Sequence, residues 1–328
     1  MRIAVIINSF AGAGCGSEWA DGLVGKFRAG GFDAQLTLAR NGAGIVEAAQ
    51  RALRERAQVV VAGGGDGTVN AVASIVAGTD IALGVLPLGT LNHFARDLGL
   101  PLSPDEAIQT IIDGHSVKVD TGEVNGRIFL NNSSLGLYPD IVRDREKQQR
   151  RLGRGKWLAL GWATVTALRR YPFLNVRLSL NGCEHERRTP FIFIGNNEYL
   201  MEGFNIGERE RLDGGQLSLY VAQGTGRLGL LRLATRALFG RLRQAKDFDV
   251  LLAREILVET RHRRLLVATD GEVTLMETPL HYRIRPGALR VIVPMRTGVA
   301  HLMAQKTSPT TRRRNPDSPP QGFRLSCP

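Results

Sequence analysis

The run VVVAGGGDGTVNAVASIVAG, Val59–Gly78, constrains this chain more than any other stretch. β-Branched residues lead into Gly63, Gly64 and Gly65, then Asp66, Gly67 and Thr68, after which the apolar spacing turns helical. A buried strand, a glycine turn and a helix make the repeating unit of a parallel α/β sheet. The same rhythm surrounds it. Strands are expected at Ile3–Ile7, Ala34–Leu38, Gln58–Ala62 and Ile81–Leu86, with helices over about Ser17–Ala29, Gly44–Arg56 and Val69–Ala77. Residues 1–116 therefore read as an α/β domain with a doubly wound parallel sheet. In such sheets ligands bind at the carboxyl ends of the strands. Asn8–Gly12, Gly63–Asn70 and Gly89–Asn92 all fall there.

After Ser116 the rhythm changes to short strands separated by glycine and asparagine turns. Residues 117–300 are expected to form a mainly antiparallel β-sandwich with helical insertions around Arg151–Arg170 and Leu228–Arg243. The last strand is left free to return to the first domain. Residues 301–328 are rich in Pro, Ser and Arg without apolar periodicity, which predicts a disordered basic tail.

The net charge of +12 predicts anionic partners: phosphates, nucleic acid or an acidic membrane surface. Nucleic acid is the weaker match, since aromatic content is only 6% and no recognition motif is present. Cys15, Cys183 and Cys327 are too far apart to give a zinc spacing or a disulfide framework, which suits a reducing cytoplasm. The first residues, MRIAVIINSF, read as a strand rather than a signal peptide. No apolar run approaches the ~20 residues of a spanning helix, so the expected location is cytoplasmic, at most peripheral on the inner face of a membrane. Gly226–Lys246 carries six basic residues, no acid and an apolar stripe at helical spacing, the pattern of a helix lying on an anionic bilayer. Arg145–Pro172 is basic with Trp157 and Trp162. For both, a helix packed on the β domain with a solvated arginine face is the alternative. Whether two copies associate is left open.

Glycines in the loop remove β-carbons where backbone amides could approach an anion, and the following helix adds its positive end. A tight turn that binds nothing is the rival. Asp66 argues for a ligand, because a carboxylate beside a phosphate needs a cation or a sugar hydroxyl between them. Neither a GxxxxGK[ST] loop nor a GxGxxG fingerprint is present.

PLGTLNHFARDLGLP, Pro87–Pro101, adds a second glycine turn at a strand end. With GGGDGTVN before it and NSFAGAG after the first strand, the chain resembles the diacylglycerol kinase catalytic domain family. That family includes bacterial lipid kinases and is related to sphingosine and ceramide kinases. LDGGQLSLYVA (Leu212–Ala222) and ATDGEV (Ala268–Val273) extend the resemblance over roughly Arg2–Pro294. It implies an ATP-dependent lipid kinase using Mg2+, with diacylglycerol the foremost acceptor, met at the membrane surface. ATP would lie against Asn8, Ser9, Phe10, Ala11, Gly12, Thr37, Gly64, Gly65, Asp66, Gly67, Thr68, Val69, Asn70 and Thr90. Glu272 would be the general base, and Asp270 would hold magnesium or orient that base. A second metal site would join Asp213 to the carbonyls of Glu210 and Gly215. One departure is His93, where many members have aspartate; metal would then fall to Asp66 and Asp97. A kinase for a soluble acceptor such as NAD, and a catalytically silent nucleotide or lipid sensor, are the alternatives.

Overall fold

The structure is a computed structural model and describes residues 1–11, 17–136, 173–180, 183–202, 205–209, 211–222 and 248–295. The expected membrane-surface segment Gly226–Lys246, all of Arg145–Pro172 and the tail lie outside the described residues. The chain begins β1 (Arg2–Asn8), α1 (Ser17–Ala29), β2 (Asp33–Ala39), α2 (Gly42–Arg54), β3 (Val59–Gly64), α3 (Asp66–Val76), β4 (Ala82–Pro87), α4 (His93–Asp97) and α5 (Pro104–Asp113). Then come β5 (His115–Val124), β6 (Arg127–Phe129), β7 (Asn132–Gly136), β8 (Leu174–Leu180), β9 (Cys183–Thr189) and β10 (Phe191–Asn196). A hairpin of β11 (Tyr199–Glu202) and β12 (Asn205–Arg209) follows. Last come β13 (Leu217–Ala222), β14 (Phe248–Ala253), β15 (Glu255–Thr260), β16 (Arg264–Thr269), β17 (Glu272–Glu277) and β18 (Leu280–Val293).

The parallel half follows the order β2-β1-β3-β4, with helices on both faces, as the alternation predicts. Residues of β3 alternate between two cores: Val60 and Ala62 pack with α2 and α3, Val59 and Val61 with α1 and α5. A strand buried on both faces must be apolar at every position, hence the unbroken VVVA. Registers Asn8↔Ala39, Ile7↔Gly63 and Gly64↔Pro87 bring the loops after β1, β3 and β4 out at one level. That shared edge holds the site.

The antiparallel half packs the six-stranded sheet β14-β13-β10-β7-β16-β17 against β8, β15 and the first half of β18, around a core that includes Phe129, Leu135, Ile192, Leu219, Val258 and Tyr282. The two halves share a sheet. β18 pairs with β15 through Glu255↔Arg283 and, further on, runs parallel to β4 through Arg290↔Ala82. Within β18, Pro286–Ala288 forms a bulge inside one long strand, with Gly287 at φ +58°. Its amide donates to Asp120 Oδ1 at 2.8 Å, so the break in the ladder is satisfied and the strand resumes. A second correction concerns the cysteines, because Cys183 is disulfide-bonded.

At Gly122 the ribbon has no room for a side chain. A β-carbon there would lie 2.2 Å from Phe129 Cζ, and Phe129 is fully buried, edge-on to Tyr282. Gly122→Ala is expected to lower stability by about 1–3 kcal/mol, read from the urea midpoint. An unchanged midpoint would contradict this packing.

Candidate active site

Two of the four glycines in GGGDG, Gly63 and Gly64, are required by neighbouring protein atoms. A β-carbon at Gly63 would meet Ile7 at 2.1 Å, and one at Gly64 would meet Thr68 Oγ1 at 2.4 Å. Gly65 faces the second turn: a β-carbon on Gly89 would lie 2.4 Å from Gly65 Cα, so the two loops touch backbone to backbone. A β-carbon on Gly67 would meet only ordinary contact, 3.8 Å from Glu272 Oε1. The glycine run therefore packs two turns together. At Gly65 no side chain caps α3, which leaves the helix's first amides available to an anion.

Side chains at the strand ends lock the turns. Asn8 Nδ2 donates to Thr68 Oγ1 at 3.3 Å, while Asn8 Oδ1 accepts from the Phe10 amide at 3.1 Å. Ser9 donates to the Ala39 carbonyl, and the Ala11 amide to that of Asn8. Asn92, in the left-handed region at φ +49°, accepts from the Gly89 amide and donates to the carbonyls of Pro87 and Gly89. Thr90 is exposed in that turn, and the ring of Phe10 is 80% exposed at the rim. Val69 packs into the core, so only its backbone can reach a ligand. Asn70 is buried with Oδ1 lacking a hydrogen-bond partner. Thr37 stands apart: it pairs with Ile6, two rungs below the edge, and lines an open cavity between α1 and α2. Gly12 lies outside the described residues.

Asp66 begins α3, where a negative charge is favoured, and its Oδ1 accepts from the Phe94 amide at 3.2 Å. His93, next to Phe94, is exposed. Asp97 does not join Asp66 as a metal ligand, contrary to expectation, because its carboxylate is paired with the buried Arg209 at 2.7 Å. Magnesium commonly binds through one or two carboxylates plus phosphate oxygens and water. Asp66 fits that requirement beside the uncapped amides. Near the second expected metal site, Asp213 is paired with Arg211 and the Gly215 amide donates to Asp120, while Glu210 lies outside the described residues.

Two hairpins bring the remaining groups. Asn125 and Gly126 have φ +46° and +84°, Asp270 and Gly271 +48° and +85°. Both turns thus have the positive φ pair of a type I′ hairpin, for which Asn-Gly and Asp-Gly are favoured. The residues just after the two turns meet. Arg127 follows the first and Glu272 the second, and they form an ion pair through Glu272 Oε2. Arg127 also donates to Thr274 Oγ1 at 2.6 Å. With Oε2 held, Oε1 is the oxygen facing Gly67. Arg127 escaped the sequence reading; its one signal was the Asn-Gly before it.

Asp270 is not extended, so it does not present its carboxylate beside that of Glu272. Its left-handed backbone turns the carboxylate back to accept three amides: Leu130 at 2.7 Å, Asn131 at 2.8 Å and Asn132 at 3.0 Å. Burial pushes its carboxyl up to about 6, opposed by those amides and by Arg209.

A glycine turn at the head of a helix, facing a carboxylate delivered by a separate β-domain, is the layout of an α/β kinase. Residues 2–124 match the diacylglycerol kinase catalytic domain family, and residues 140–293 the YegS C-terminal NAD kinase beta sandwich-like domain. The chain belongs to the diacylglycerol kinase catalytic domain family. It is 31% identical over 277 residues to a protein of Pseudomonas fluorescens named as a YegS-like lipid kinase, covering 81% of this chain and 88% of the relative. It is 27% identical over 301 residues to a diacylglycerol kinase of Mycobacterium tuberculosis, covering 89% and 95%. A crystal structure from Bacillus anthracis, of a protein assigned as a diacylglycerol kinase, superposes with a TM-score of 0.71 at 25% identity, covering 90% and 98%.

Gly89→Ala is expected to push the two turns apart and lower the melting temperature by several degrees, whereas Gly67→Ala, which meets only ordinary contact, leaves it unchanged. Equal effects would contradict the packing explanation. A second expectation concerns pH. With its folded value raised from 3.8 to about 6, Asp270 holds its proton more tightly in the folded chain. Its contribution is full below about pH 4 and is lost as pH rises through about 6. The stability difference between the protein and Asp270→Asn should therefore widen as pH falls from about 7 to about 4. Urea midpoints across that range test it, and a constant difference would refute the assignment.

Proposed function

We propose that the protein transfers the γ-phosphoryl group of Mg–ATP to the hydroxyl of a lipid, with diacylglycerol, the substrate named for its relatives, as the acceptor. The observation that carries this reading is the meeting of Glu272 Oε1 with Gly67, although the two residues come from different domains. The uncapped amides of α3 and the Asn8 and Asn92 turns bind phosphate. Magnesium at Asp66 would offset charge on the phosphoryl group. Glu272 Oε1 accepts the hydroxyl proton as that oxygen bonds to the γ-phosphorus and the bond to the β-phosphate oxygen breaks. Arg127 holds the other oxygen, which fixes the carboxylate plane. A second cation at Asp213 would have to displace the half-exposed Arg211.

Among the described residues no helix is long and apolar enough to cross a membrane. The lipid is reached at an anionic surface, for which the +12 charge and Gly226–Lys246 are the support.

Transfer of label from γ-labelled Mg–ATP into a total lipid extract tests this directly. Label in a phospholipid is expected with the protein, and a fall of about 10²–10⁴-fold with Glu272→Gln. Label in a soluble compound instead would move the assignment to a soluble acceptor. ATP binding without transfer would support a silent sensor, the reading that His93 favours.

A further inference from the structure

Arg209 is the residue the proposed mechanism leaves unexplained. It ends β12, its side chain is 0% exposed, and all three of its nitrogens are engaged. Nε donates to Asp97 Oδ2 at 2.8 Å, Nη1 to the carbonyls of Leu130 at 2.7 Å and Asn196 at 3.2 Å, and Nη2 to Asn131 Oδ1 at 2.9 Å. A buried ion pair rarely adds stability over well-packed apolar residues, because the desolvation of both charges offsets their attraction. The reason for its presence lies in where its partners lead.

Leu130 and Asn131 are held from two sides. Arg209 takes the Leu130 carbonyl and the Asn131 side chain, while the amides of both residues donate to Asp270. A cation, two peptide units and a carboxylate thus stand in line, each polarising the next. Asp270 shapes the turn whose following residue is Glu272. In the other direction Asp97 ends α4, the helix whose Phe94 amide holds Asp66 and whose preceding Asn92 locks the Gly89 turn. The two ends of this line therefore meet again in the site, where Glu272 faces Gly67, the neighbour of Asp66.

We infer that Arg209 is a positioning residue: through Leu130, Asn131 and Asp270 it sets Glu272 against the glycine turn, using Asp97 on the nucleotide side as its anchor. The inference rests on the reading of Glu272 as the base. Lysine in its place keeps a charge for Asp97 but presents one nitrogen in place of three, so the line breaks at Leu130 and Asn131.

The test is a double-mutant cycle of Arg209→Lys with Asp270→Asn, followed by both steady-state kinetics and amide hydrogen exchange. Arg209→Lys is expected to lower kcat about tenfold or more while the KM for ATP stays within about twofold, because misplacement of the base by a fraction of an ångström acts on the chemical step. The double variant should lose no more than the worse single variant, since both act through one turn. Exchange should quicken in Arg264–Glu277 and stay unchanged in β1 and β3. Multiplicative kinetic losses, or exchange that rises equally across the chain, would reduce Arg209 to a general stabiliser and overturn the inference. Should Arg209→Lys fail to fold, Asp97→Asn, which keeps a hydrogen-bond acceptor, takes its place in the same cycle. If the wild-type protein transfers no phosphoryl group, the kinase reading fails on its own, and the exchange of Arg264–Glu277 still decides whether Arg209 holds the Glu272 turn.

Discussion

The arrangement depends on one carboxylate, Asp120, at the place where the two halves of the chain join. Its two oxygens accept the amides of Gly215 and Gly287 at 2.7 and 2.8 Å, and its own amide donates to the Leu212 carbonyl. The Gly287 contact closes the bulge that lets β18 pair first with β15 and then with β4. Without that bulge the strand could not stay in register with β5 on both sides of it. The registers of β5 and β18 in turn decide where their neighbouring hairpins emerge. Glu272 reaches the glycine turn because of hydrogen bonds made well away from it.

Much of the first half was legible in the sequence because its signals are local. A strand buried on both faces is apolar throughout, and a glycine run between strand and helix marks a turn over three or four residues. The motif Asp270-Gly271-Glu272 was equally visible, yet its internal division of labour was not. The Asp-Gly turn separates the two carboxylates, Asp270 turned back to the amides of Leu130, Asn131 and Asn132 and Glu272 toward Gly67. The bulge at Pro286–Ala288 was not legible, because the carboxylate that closes it, Asp120, lies far away in the sequence.

Arg127 and Arg209 were invisible for a physical reason. Each gains its role from a partner far along the chain, Glu272 for one and Asp97 for the other, and no periodicity or spacing connects such positions. Even the glycines carried a meaning the sequence could not separate. Close approach of phosphate and close approach of another loop both demand the loss of a β-carbon. Side chains of Ile7 and Thr68 leave no room at Gly63 and Gly64, and Gly65 leaves none at Gly89, whereas a β-carbon on Gly67 would meet only ordinary contact.

The long strand β18 also bears on how the molecule can move. Across the junction it is paired with β5, antiparallel on either side of the bulge. Kinases built from two lobes on a loose linker close over substrate like a clamshell. Here the linker is itself a piece of sheet, and the Asp97–Arg209 pair bolts the lobes together a second time. Opening the jaws would tear a ladder of backbone hydrogen bonds and strand a buried charge. The junction between the halves is thus continuous sheet braced by a buried ion pair.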